Sequence, residues 1–67
     1  MNKLIQNINQ FLPDGYFCKK ENYSIIIVNE SDKIIMRFTI ELIEDVGANA
    51  TKFILSKFEE WYENNSN

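Results

Sequence analysis

A chain of 67 residues has room for one domain, and a core that small is marginal unless it packs well or is shared with a partner. Ten carboxylates against seven Lys and Arg give a formal net charge of -3, which argues against binding dominated by nucleic-acid phosphates. With no histidine and Cys18 as the only cysteine, the chain lacks the usual general base, the common zinc ligand sets, a C-x-x-C pair and any intrachain disulfide.

Met1, Leu4, Ile5, Ile8, Phe11 and Leu12 recur at helical spacing, with Lys3, Gln6, Asn7, Asn9 and Gln10 on the other side. The spacing predicts a first helix over 2–11, ended by Pro13-Asp14-Gly15. Residues 16–20 read as a short strand, and Glu21-Asn22 as a two-residue turn, since Asn tolerates positive φ. Residues 23–28, YSIIIV, are β-branched and dense enough for a central strand. After the polar cluster 29–32, residues 33–42 alternate strictly, with Ile34, Met36, Phe38, Ile40 and Leu42 on one side. That period of two predicts a long strand with one dry face.

Tight turns between three strands imply an antiparallel meander. A two-residue first loop pairs Lys20 with Tyr23, and a four-residue second loop pairs Val28 with Lys33. One face then carries Tyr16, Cys18, Tyr23, Ile25, Ile27, Ile34, Met36, Phe38, Ile40 and Leu42 as the core. The other carries Phe17, Lys19, Ser24, Ile26, Val28, Ile35, Arg37, Thr39 and Glu41. A one-residue slip would scramble this division, so its consistency supports the face assignment.

Helical spacing returns after residue 42. Ile43, Val46, Ala50, Phe53, Ile54, Phe58 and Trp61 share a side, and Lys57 should snorkel to its rim. The expectation is one helix over about 45–62 with Asp45 as its N-cap, weakened near Gly47. The predicted fold is α+β, in the order α-β-β-β-α, with a three-stranded antiparallel meander and both helices packed on one face. Residues 1–63 form the single domain and 64–67 a frayed tail.

The chain has two isolated glycines and so no phosphate-cradling loop, and its length leaves little material for a catalytic cleft. No catalytic residue, metal site or cofactor is expected, and the chain reads as a non-enzyme. No apolar run reaches the roughly 18 residues of a membrane span, and no signal-peptide core opens the sequence, so a cytoplasmic protein is expected. The abundance of Asn, Ile and Lys, all with AT-rich codons, suggests a low-GC bacterium or its phage.

Two features point to a partner. In the predicted register Phe17, Ile26 and Ile35 stand side by side on the outer face, with Val28 beside them. Scattered apolar residues are ordinary on small surfaces, but a contiguous row suggests a binding surface. Glu59, Glu60 and Glu63 lie in the last turns of the second helix, where the helix dipole disfavours anions. A solvated, solubilising face explains them better than a contact for a basic partner does, though the broken dipole rule flags a contact. Cys18, on the core face, reads as a small buried hydrophobe. Lys19, Lys20, Lys33 and Arg37 are the only local basic grouping, so direct nucleic-acid binding is not favoured.

The element order, the opening MNKLIQNI and the segment KFILSKFEEW from Lys52 to Trp61 resemble small phage-encoded anti-CRISPR proteins, which inhibit RNA-guided DNA nucleases. The similar stretches cover about a third of the chain. The resemblance implies an acidic surface that imitates DNA and blocks the site reading the target; this chain departs from that pattern in being only mildly acidic. The resulting expectation is a small protein-binding module, inhibitory toward a host protein. A homodimer formed through the outer sheet face or the 33–42 edge strand is the rival reading.

Overall fold

The computed structural model describes residues 1–65. Helix α1 (Asn2–Phe11) precedes strands β1 (Tyr16–Glu21), β2 (Ser24–Asn29) and β3 (Ile34–Thr39). Helix α2 (Ile40–Val46), a 3-10 turn (Gly47–Asn49) and helix α3 (Ala50–Asn65) complete the chain. The sheet is antiparallel in the order β1-β2-β3, giving the expected α+β meander. One core forms on one face of the sheet: Ile8 from α1, Cys18, Ile25, Ile27 and Phe38 from the strands, Ile43 from α2, and Ala50, Ile54 and Phe58 from α3.

Both strand registers differ from the expected ones by two residues, in the second hairpin as far as Ile27, so up to there the faces survive while the neighbours change. The first turn is Asn22-Tyr23, closed by the pair Glu21 and Ser24. Asn22 takes φ 55° at the first central position, where a two-residue hairpin turn needs positive φ. Tyr23 therefore leaves the core face for the turn and is 86% exposed. Cys18 pairs with Ile27, and Ile25 with Phe38. Asn29 shapes the second loop: its Oδ1 accepts from the N–H groups of Ser31 and Lys33 at 2.9 and 3.0 Å.

The expected strand 33–42 is shorter at its far end and irregular at its near end. Ile27 pairs with Met36 but Val28 with Ile34, so Ile35 is the extra residue of a bulge. The bulge turns Ile34 to the outer side beside Val28, where it is 40% exposed. At the far end the alternation gives way to helix at Ile40. Thr39 is the N-cap, its hydroxyl accepting from Leu42 N–H at 3.2 Å, and Ile40, Ile43 and Val46 already follow a helical step. Leu42 is accordingly on an exposed side of α2 and not in the core.

The expected single helix over 45–62 is two helices, and Asp45 lies inside the first instead of capping it. Gly47 closes α2 at φ 70°, ψ -132°, a conformation that L side chains rarely adopt. No break interrupts α3, which continues through Asn64 and Asn65; the remainder of the expected tail, 66–67, lies outside the described residues. Lys57 stays half exposed, 3.8 Å from Glu60 and 5.7 Å from the centre of the Phe53 ring.

Aromatic contacts pin α3 to the sheet. The Phe38 and Phe53 rings meet edge-on at 6.2 Å. Tyr16 lies 5.1 Å from Phe58, 5.9 Å from Trp61 and 5.8 Å from Tyr62. Such pairs contribute about 0.5–1.5 kcal/mol each beyond the area they bury.

Candidate functional site

The outer face of the sheet has none of the core cluster on it, yet its central strand is dry: Ser24, Ile26 and Val28 are 8%, 2% and 3% exposed. The register explains this. Ile26 sits between Lys19 on β1 and Arg37 on β3. Arg37 reaches across β2 to Glu21 at 3.2 Å, and Lys19 crosses to Asp32 in the second loop at 3.2 Å. Exposed pairs of this kind contribute about 0–1 kcal/mol as charges, but their apolar stems shield the residue beneath them. Ile26 is thus a structural residue flanked by one cross-strand and one strand-to-loop ion pair and not a member of an exposed row.

The exposed row is a different one. Phe17, Val28 and Ile34 are direct neighbours across the three strands. Phe17 is 54% and Ile34 40% exposed, with Val28 buried between them. Ile35, in the bulge, is half-buried and outside the row. Of the expected apolar contact residues, Phe17 alone keeps its place; Ile34 replaces Ile35 and Val28 replaces Ile26. Ile34 was hidden from sequence reasoning because a bulge leaves no signature in the alternation.

The three glutamates of α3 separate. Glu60 is held by Lys57. Glu59 lines an apolar groove of about 380 Å3 between the end of α1 and α3, together with Phe11, Pro13, Leu55, Phe58 and Tyr62. Glu63 follows Glu59 one turn on and is exposed. Among the described residues neither Glu59 nor Glu63 forms an ion pair.

Cys18 is 4% exposed, and burial pushes its thiol up to about 11. A protonated, buried thiol is a poor nucleophile. Among the described residues no group of three Cys, Asp or Glu side chains is placed to hold a metal ion, and no helix is long and apolar enough to cross a membrane. Comparison with protein-family models, with curated proteins and with solved structures found no match.

Proposed function

We propose that this chain is a small non-enzymatic module that binds another protein through the outer face of its sheet, with Phe17 and Ile34 as the anchoring side chains. The observation that carries this reading is their alignment over Val28 on a face that, among the described residues, no helix covers. Phe is among the residues enriched at interface centres, and strands hold the row rigidly, which lowers the ordering cost of binding. Full burial of each side chain is worth about 1.5–3 kcal/mol before the cost of association. Inhibition of a host protein in the cytoplasm is the form of such binding that the resemblance to phage-encoded nuclease inhibitors implies.

Self-association is the second reading, and the β3 edge of the sheet favours it. The β1 edge is closed at Cys18, whose N–H and C=O both bond to Asn9. Antiparallel pairing directs the backbone groups of Met36 and Phe38 toward β2, so those of Arg37 point outward along the β3 edge. Open backbone groups on the β3 edge allow one copy to pair with another.

A photo-crosslinking side chain in place of Phe17, activated in the source cell, separates the readings. Attachment to a foreign protein supports the module, and attachment to a second copy supports the dimer. If residue 17 yields no more product than the same probe at Asn49, on the 3-10 turn, the outer face is not a contact surface.

A further inference from the structure

A second surface, away from the sheet's outer face, carries its own chemistry. The groove between α1 and α3 is apolar along most of its lining, and its wall includes Phe11, which is 69% exposed although it belongs to the apolar side of α1. Its depth comes from aromatic packing: Phe58 and Tyr62 stack at 5.6 Å, and Tyr16 meets both edge-on. Those contacts hold the floor in place before anything binds, which favours affinity.

The surroundings of the groove are negative from two sources. Glu59 is part of its wall and Glu63 stands one turn farther on, neither in an ion pair among the described residues. Helix α1 ends at Phe11, so its carbonyl end lies at the groove, and its last turn holds no basic residue. The C-terminus of α1 adds partial negative charge where two carboxylates already stand. No lysine or arginine lines the groove.

We propose that this groove docks a cationic amphipathic segment of a partner polypeptide. An apolar side chain of the segment enters beside Phe11 and Tyr62, and its Lys or Arg residues meet Glu59, Glu63 and the carbonyl end of α1. The volume, at the low end of the roughly 300–1,000 Å3 typical of ligand pockets, suits side chains of a docked segment. The proposal is independent of the sheet's outer face and stands or falls separately from it.

The test is an NMR titration of the full chain with two synthetic amphipathic peptides, one of Leu and Lys and one of Leu and Glu. The Leu–Lys peptide should shift the amides of Phe11, Leu55, Glu59 and Tyr62, with binding that weakens as salt is raised. The paired variant Glu59→Gln with Glu63→Gln should weaken it roughly tenfold, as loss of complementary charge at a contact does. Phe11→Ser should weaken it comparably while the thermal midpoint stays put, since Phe11 is mostly exposed. Equal binding of both peptides, shifts centred on Phe17 and Ile34 instead, or no shift at the highest Leu–Lys concentration would each overturn the proposal.

Discussion

The side-chain amide of Asn9 satisfies both backbone groups of Cys18, donating from Nδ2 to the carbonyl at 2.9 Å and accepting at Oδ1 from the N–H at 2.7 Å. A helix side chain thereby takes the place of a neighbouring strand at this point of the β1 edge, where unpaired groups would invite another chain. Asn9→Ala leaves both groups of Cys18 without their partner and should cost about 1–3 kcal/mol. Asn9→Asp keeps the acceptor but sets a carboxylate oxygen against the Cys18 carbonyl, so it should cost at least as much. Urea melts of the three proteins give the answer; superimposable curves would show that the amide contributes nothing.

Ile26 and Phe17 should respond oppositely to the same substitution. Ile26→Glu places a carboxylate at a site 2% exposed and without a cationic partner free of its own ion pair. The change should cost more than about 3 kcal/mol or force protonation of the new side chain. Phe17→Glu, at a site 54% exposed, should leave the thermal midpoint within a few degrees. A folded, stable Ile26→Glu protein would contradict the shielding of this strand by Lys19 and Arg37.

Phe38 is 7% exposed and packs edge-on against Phe53 at 6.2 Å. Phe38→Ala should leave a cavity costing about 3–5 kcal/mol, a large part of a small domain's stability. An unchanged thermal melt would mean that β3 does not face the helices in this register.

The Cys18 thiol makes stability fall at alkaline pH. Its ordinary value of 9.0 applies in the unfolded chain, and burial raises it to about 11 in the fold. Across that window the unfolded chain has lost a proton that the folded chain retains, so rising pH favours unfolding. The contribution is intact below the unfolded value and declines toward the folded one, by up to about 2–3 kcal/mol. Subtracting the pH profile of Cys18→Ala isolates it from other groups titrating there. Parallel profiles for the two proteins would show that the thiol titrates normally.

Much of this architecture is legible in the sequence because the apolar residues repeat. The helical steps of Leu4, Ile5 and Ile8 locate α1, and those of Ala50, Ile54 and Phe58 locate the buried side of α3. The alternation of Ile25, Ile27, Met36 and Phe38 assigns the faces even though both registers are off by two, since a shift of two residues preserves a period of two. What escapes is decided by single backbone positions. Asn22 sets the turn through its positive φ, Ile35 enters a bulge, and Thr39 converts an apparent strand into a helix start. Those three events move Tyr23 into solvent, Ile34 out of the core and Leu42 to an exposed side of α2. The burial of Ile26 escapes for another reason: it depends on Lys19 and Arg37 lying on either side of it, which only the correct register shows.

The central claim is that Phe17 and Ile34 form the surface by which this protein meets another. Its most direct test is affinity capture from the source cell, comparing the wild-type chain with a Phe17→Glu, Ile34→Glu double variant of equal thermal midpoint. The account predicts a protein held in stoichiometric amount by the wild type and lost with the double variant. Recovery of the same protein by both baits, or a wild-type monomer that retains nothing, would contradict it.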